Sequence, residues 1–192
     1  MADAAGPRRA FFLDRDGIVN RRRIDDYVKD PSEFDFIEDI FSVLPLMRAA
    51  GGLVVLITNQ RGIGRGLMTE EGLAAIHDAM QRELLRRTGS RFDAIYHCPH
   101  DHADECDCRK PLPGMLLRAA AEHGIDLAAS WMIGDSESDI LAGIAAGCHT
   151  AKVDPLLAKS RAEILTATLR EAWERMEHAM MTAGQSTPDL SN

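Results

Sequence analysis

The chain predicts an α/β fold: an open, mainly parallel sheet with helices on both faces. Three observations carry that expectation. Short apolar runs alternate with stretches of helical periodicity along most of the 192 residues, the pattern of strands joined by crossover helices. One run, Leu53-Val54-Val55-Leu56-Ile57, is apolar throughout and rich in β-branched residues, as suits a central strand buried on both faces. Polar residues with chemical potential follow several of these runs directly, where the carboxyl ends of parallel strands share one edge.

Composition narrows the class. Hydrophobic residues make up 45% of the chain and charged residues 27%, so it can fill a core and is not disordered throughout. The length suits a single domain over 1–192. A formal charge of −8 argues against a broad nucleic-acid-binding surface. No apolar run reaches the roughly 18 residues of a membrane span. Met1–Arg9 is short and polar and does not read as a signal peptide, so a cytoplasmic enzyme is expected.

Taken in order, residues 10–14 form the first strand. Arg21-Arg22-Arg23 follows, either a solvated run or a means of steering an anionic substrate. Residues 24–37, with Tyr27, Val28, Pro31 and Phe34, read as an extended lip. Residues 38–50 carry Ile40, Val43, Leu44, Leu46 and Met47 at helical spacing, with Pro45 inside the pattern, and Gly51-Gly52 stops the helix. After the strand at 53–57 comes a glycine-rich loop, Arg61-Gly62-Ile63-Gly64-Arg65-Gly66. A helix is expected over about 70–87, opened by a capping-box-like Thr69-Glu70-Glu71-Gly72. Phe92–Tyr96 reads as a short strand. Further elements are a helix at 114–123, a strand at 131–134, a helix at 136–146 stopped by Gly147, and a last strand at 148–153. The result is a Rossmann-like core over about 8–152. Residues 154–180 carry Leu157, Ile164, Leu165, Leu169, Trp173, Met176 and Met180 as an apolar stripe. They are read as a helical extension that packs on the domain rather than pairing two subunits, so a monomer is favoured. Residues 181–192 read as a frayed tail.

The chemistry starts at Phe11-Phe12-Leu13-Asp14-Arg15-Asp16-Gly17. A strand running into two carboxylates two positions apart points both to one side. Like charges so close ask for a cation, a shared proton or a solvated turn. Asp14 is the expected nucleophile, attacking phosphorus to form an aspartyl-phosphate. Asp16 is expected to protonate the leaving alcohol and later deprotonate water. Mg²⁺ prefers oxygen ligands, and the Asp14 and Asp135 side chains with the Asp16 carbonyl would supply three. Thr58 and Asn59 offer donors to phosphate oxygens, and Gln60, Arg61 and Arg65 join that set from the loop beyond. Lys110 places a compact positive charge on the transferred group, while the planar fork of Arg109 suits a bidentate hold on substrate. Asp139, four positions after Asp135, is expected to orient Lys110 or a water at the metal.

Cys98, His100, Cys106 and Cys108 make a Cys₃His set, a normal complement for structural zinc. His97 and His102 are spare candidates for the imidazole, and a disulfide or unligated thiols are the bland alternative. A zinc here would pin a loop with no core of its own and so hold Arg109 and Lys110. Cys148, far along the chain, reads as a buried small side chain.

These residues together resemble the haloacid-dehalogenase-type (HAD) phosphatases. Asp14-Arg15-Asp16-Gly17 is similar to the first motif of that family and Thr58-Asn59 to the second; Lys110 fits the third, and Gly134-Asp135 through Asp139 the fourth. Cys98-Pro99-His100 with Cys106-Asp107-Cys108-Arg109-Lys110-Pro111 resembles the small zinc-containing branch, which holds heptose-bisphosphate and histidinol-phosphate phosphatases. The resemblance covers about residues 8–152. It implies a minimal cap, Mg²⁺-dependent hydrolysis of a small phosphorylated metabolite, and a structural zinc. Thr58-Asn59-Gln60 before Gly62-Ile63-Gly64-Arg65-Gly66, Phe34–Ile37 and Pro113–Leu117 are closer to the heptose enzymes. Arg61 stands where that branch usually has serine, Ser136 where it commonly has lysine, and the segment between His100 and Cys106 is short. Arg61 is expected to supply the missing positive charge. Histidinol phosphate or another sugar phosphate are the alternative substrates. A non-catalytic phosphate- or metal-binding module is the alternative of a different class.

Overall fold

The apolar run at 53–57 lies within the second strand of a six-stranded sheet in which every pairing is parallel. The computed structural model describes residues 8–24 and 26–184. Its strands are β1 (Ala10–Leu13), β2 (Leu53–Asn59), β3 (Ala94–Cys98), β4 (Trp131–Gly134), β5 (His149–Val153) and β6 (Ile164–Thr166), in the spatial order β3-β2-β1-β4-β5-β6. The chain runs outward from β1 to β3, returns, and runs outward again from β4 to β6. The order therefore reverses between β1 and β4, the switch point at which open α/β sheets bind ligands.

Alternation along each strand supplies two cores. Phe11, Leu13, Val54 and Leu56 point to one face, and Ala10, Phe12, Val55 and Ile57 to the other. The first face is covered by α1 (Asp39–Ala49), α3 (Glu70–Thr88) and α6 (Leu169–Gly184); the second by α4 (Gly114–His123) and α5 (Glu137–Ala146). A short turn of helix, α2 (Arg61–Gly64), follows β2. Thr69 caps α3 by accepting a hydrogen bond from the Gly72 N–H at 3.1 Å. Pro45 is accommodated inside α1. The lip at 24–37 folds back on the loop after β1: Arg21 N–H donates to Asp35 O and Ile37 N–H to Val19 O. Its Phe34 ring meets Phe36 edge-on, and Phe36 lies tilted against Phe41 of α1.

Three expectations are corrected. The third strand runs from Ala94 to Cys98 rather than from Phe92 to Tyr96: the Phe92 N–H and C=O are both taken by the Gln81 side chain of α3, Asp93 N–H donates to Val54 O, and the regular ladder begins with Ala94 opposite Val55. Residues 154–180 are not helical throughout: Ile164–Thr166 add β6 beside β5, and α6 begins only at Leu169. Finally, α6 continues to Gly184; the rest of the expected tail, 185–192, lies outside the described residues. Of the expected apolar stripe, Leu157 is exposed and the part from Leu169 on packs on the domain. Leu169, Ala172, Trp173 and Met176 are buried in the first core, and the Trp173 ring meets Phe11 edge-on at 5.5 Å. Among the described residues no helix is long and apolar enough to cross a membrane.

Candidate active site

Three strand ends converge at the switch point. Asp14 follows β1, Asn59 ends β2 and Asp135 follows β4. The Asp14 N–H still donates to Ile133 O, so the backbone that carries this carboxylate is fixed by the sheet itself. Gly17 turns the chain away at once. Its φ is +94°, and a Cβ there would sit 2.0 Å from Asp135 Oδ2. Only glycine lets the two acidic loops approach this closely.

Lys110 is the positive centre. Its buried ammonium lies 2.8 Å from Asp14 Oδ1 and 2.6 Å from Asp139 Oδ1, and donates to Ile57 O at 2.8 Å. Two ion pairs and one hydrogen bond thus surround the ammonium. Its backbone is held reciprocally by Asn59, whose Oδ1 accepts from Lys110 N–H and whose Nδ2 donates to Lys110 O. Asp139 in turn accepts from the Ser136 N–H and hydroxyl at the start of α5. Asp139 thus lies between Lys110 and Ser136, paired with the first and hydrogen-bonded to the second.

Charge in this cluster is unevenly compensated. Burial pushes the Asp14 carboxyl up to about 7, with Lys110 opposing and the neighbouring Asp139 and Asp16 adding to the rise. Burial likewise raises Asp135 to about 6, against the pull of Arg22. Burial works against the Lys110 charge, but Asp139 and Asp14 outweigh it and hold the ammonium above its ordinary value. Asp16 goes the other way. Burial favours its neutral form, yet the Arg15 guanidinium and hydrogen bonds from Asn20, Arg15 and Gln60 prevail and hold it below the usual carboxylate range. Those contacts are 3.0 Å from Arg15, 3.0 Å from Asn20 and 3.2 Å from Gln60.

The donor set suits a hard divalent cation. Asp14, Asp135 and Asp139 each present a carboxylate oxygen within 4.8 Å of the others. Asp139 is already committed to Lys110 and Ser136, which leaves Asp14 and Asp135, the two carboxylates that burial raises. The second cluster is of a different kind. Cys98, His100, Cys106 and Cys108 also converge within 4.8 Å. Cys98 Sγ lies 3.8 Å from Cys106 Sγ and 3.6 Å from His100 Nδ1, and His100 Nδ1 is 3.3 Å from Cys108 Sγ. Tetrahedral ligands at zinc-like bond lengths stand about 3.8 Å apart for S···S and about 3.6 Å for S···N. The set fits one closed four-ligand metal site, and all four thiols of the chain are free rather than disulfide-bonded. Burial pushes the lone Cys148 thiol up to about 12, as suits a packed side chain.

Not every expected ligand reaches the catalytic cavity, a space of about 190 Å³ walled by Asp14, Asp16, Asn59, Lys110 and Asp139 among others. Thr58 is buried beneath it, accepting from Gln60 Nε2, and Gln60 serves to hold Asp16. Arg61 is turned to Asp101, their contact 2.5 Å, tying the glycine-rich loop to the cysteine loop. Arg65 is exposed. Arg109 donates to His100 O at 3.2 Å and lies 3.4 Å from His102 Nε2, walling a neighbouring depression with Lys110. Arg15, Asn20, Tyr27 and Ser138 were not legible as site residues. Arg15, named above only as part of the first motif, is 1% exposed.

Comparison with known proteins agrees with this geometry. A family model described as HAD-hydrolase-like matches residues 107–155. The D-glycero-beta-D-manno-heptose-1,7-bisphosphate 7-phosphatase of Helicobacter pylori strain J99 is 45% identical over 136 residues, 71% of this chain and 77% of that protein. The Vibrio cholerae protein of the same name is 43% identical over 149 residues, 73% of this chain and 78% of that one. The crystal structure of D,D-heptose 1,7-bisphosphate phosphatase from B. bronchiseptica, complexed with magnesium and phosphate, superposes with a TM-score of 0.81 at 35% identity, covering 89% of this chain and 99% of that one.

Proposed function

The chain belongs to the HAD-like phosphatases, among the relatives of heptose-bisphosphate 7-phosphatase, and from that premise we propose that it hydrolyses the 7-phosphate of a heptose 1,7-bisphosphate with Mg²⁺. One observation carries the reading: Asp14, Asp135 and the buried Lys110 meet at the switch point of the sheet. The relatives named above support the sugar bisphosphate as substrate, and the magnesium-bound relative supports the metal.

Asp14 and Asp135, with the Asp16 carbonyl, would hold the ion, which supplies charge that lets an anionic nucleophile meet an anionic phosphate. An Asp14 oxygen forms the bond to phosphorus as the bond to the sugar oxygen breaks. Lys110, aimed by Asp139, stabilises charge on the transferred group. Asp16 hands its proton to the departing sugar oxygen, then takes one from the water that cleaves the acyl phosphate. It is ionised in the free protein; an arriving phosphate dianion raises its proton affinity, so that it takes up a proton from solvent before the first step. Asn59 faces the phosphate and fixes Lys110.

The Cys₃His cluster is assigned structural zinc, since four protein ligands leave no open position. Thiolates kept for a metal fit a reducing compartment, so the cytoplasm is the expected location. The stripe of α6 is used within the chain, which supports a monomer. The functional reading is tested by a kinetic comparison, with Mg²⁺, of heptose 1,7-bisphosphate, histidinol phosphate and simple sugar monophosphates. The highest kcat/KM on the heptose bisphosphate is expected. A preference for histidinol phosphate would reassign the substrate, and no turnover of any ester would refute the enzyme.

A further inference from the structure

We propose that Arg61 is a positioning residue for Arg109, acting through Asp101. The inference rests on the functional reading above and adds a residue to it. Arg61 opens α2, the short turn of helix after β2, and its Nε lies 2.5 Å from Asp101 Oδ1. The two side chains are 34% and 30% exposed, so salt and water screen the pair only in part. Asp101 is the first residue of the segment that joins His100 to Cys106 in the cysteine loop. Residues 102–105 are all exposed. The segment therefore has no core of its own to hold its shape.

Asp101 organises that segment. Its Oδ1 also accepts the His102 N–H at 2.6 Å, and its own N–H donates to Asp104 Oδ2 at 2.7 Å. The residues on either side of it are the ones that hold Arg109. Arg109 Nη1 donates to His100 O at 3.2 Å, and Nη2 lies 3.4 Å from His102 Nε2. Arg109, His102 and Lys110 wall one depression, and Lys110 also walls the catalytic cavity. Arg61 reaches the segment from a fixed base. Gln60 N–H donates to Cys98 O at 2.8 Å and Gly64 N–H to Pro99 O at 2.9 Å. A Cβ on Gly64 would stand 2.8 Å from Pro99 O and 3.0 Å from Asp101 N, so α2 lies directly against the backbone leading into the segment. The ion pair thus sets where Asp101 comes to rest, and with it His102 and Arg109. A guanidinium already held in place loses less freedom when it binds substrate. Lys110 is held separately, by Asn59, Asp14 and Asp139, so loss of the pair weakens binding and spares the chemical step.

The test is a double-mutant cycle read on heptose 1,7-bisphosphate at saturating Mg²⁺. Arg61→Ser breaks the pair from one side. Asp101→Asn breaks it from the other, and its amide oxygen can still accept the His102 N–H. Each is expected to raise KM about 3- to 30-fold with kcat within about threefold of wild type. The double variant should be no worse than either single one, because the same pair is broken once. A raised KM in Arg61→Ser with a wild-type KM in Asp101→Asn would make Arg61 a direct substrate ligand and overturn the inference. Additive losses, losses that fall on kcat, or no loss in either variant overturn it equally, and all leave the phosphatase reading intact. Hydrogen exchange reads the positioning without substrate. In Arg61→Ser the amides of residues 101–109 should exchange faster than in wild type, while those of β1, β2 and β4 keep their rates. Unchanged exchange over 101–109 overturns the inference. Wild-type protein that hydrolyses no ester overturns the functional reading, and the exchange comparison then decides the positioning by itself.

Discussion

Replacing Lys110 by methionine removes the one cation buried between Asp14 and Asp139 while roughly keeping its volume. Each ion pair, at 2.8 and 2.6 Å, corresponds to about 6 kcal/mol of attraction at an effective dielectric constant of about 20. Most of that is offset by the cost of burying the charges. Removing one member of a buried pair typically costs about 3–5 kcal/mol. Asp14, already raised to about 7, can take up a proton and so limits the damage. The expected loss is therefore at the lower end, about 3 kcal/mol. For a chain of this size that is a fall in Tm of about 6–12 °C. Catalysis should fall further, by about 10²- to 10³-fold in kcat, as for other preorganised donors to developing charge. Thermal melts by circular dichroism and steady-state kinetics read the two effects together. A variant that melts within about 2 °C of wild type and keeps more than about a tenth of its kcat would refute the assignment of Lys110 as the compensating charge.

Other expectations follow from the same structure. Cys106→Ser should lower bound zinc well below one equivalent and lower Tm; full zinc content by metal analysis would contradict the Cys₃His assignment. Trp173→Ala should cost about 3–5 kcal/mol, because its ring is buried against Phe11 in the main core; a denaturant midpoint unchanged from wild type would show that α6 is not integral. His77 is held neutral, lowered to about 3 by burial first and then by Arg15 and His97, against Asp16. Its unfolded value is about 6.5, so the unfolded chain binds the proton that the fold refuses. The associated stability is intact above about pH 6.5 and is lost as pH falls toward 3, by up to about 1.4 kcal/mol per pH unit. His77→Leu should flatten the curve of stability against pH between 6.5 and 4.5; parallel curves for variant and wild type would contradict this.

What could be read from the sequence was what depends on local pattern. The strand at 53–57 announces itself by an uninterrupted β-branched run, and Asp14, Asp135 and Lys110 by their place after strand ends or the cysteine cluster. What could not be read depends on partners far along the chain. Arg61 looks like a substrate ligand until Asp101, forty positions on, claims it. Nothing local marks Arg15 as buried; it pairs with Asp16, which Asn20 and Gln60 also hold. The strand β6 is three residues long, too short to declare a period of two. Its Ile164 and Leu165 therefore merge into the helical stripe that starts in earnest at Leu169. Phe92 has the apolar look of a strand residue, but the Gln81 side chain occupies its backbone groups.

The central claim is that Asp14 becomes phosphorylated during turnover. Acid quenching of the Mg²⁺-loaded protein within its first turnover of heptose 1,7-bisphosphate, followed by peptide mapping, reads this directly. One phosphoryl group is expected on the peptide that carries Asp14, and none in Asp14→Asn, which should also lose hydrolysis. A label on another residue, or an Asp14→Asn variant that still hydrolyses the ester at the wild-type rate, would contradict the account.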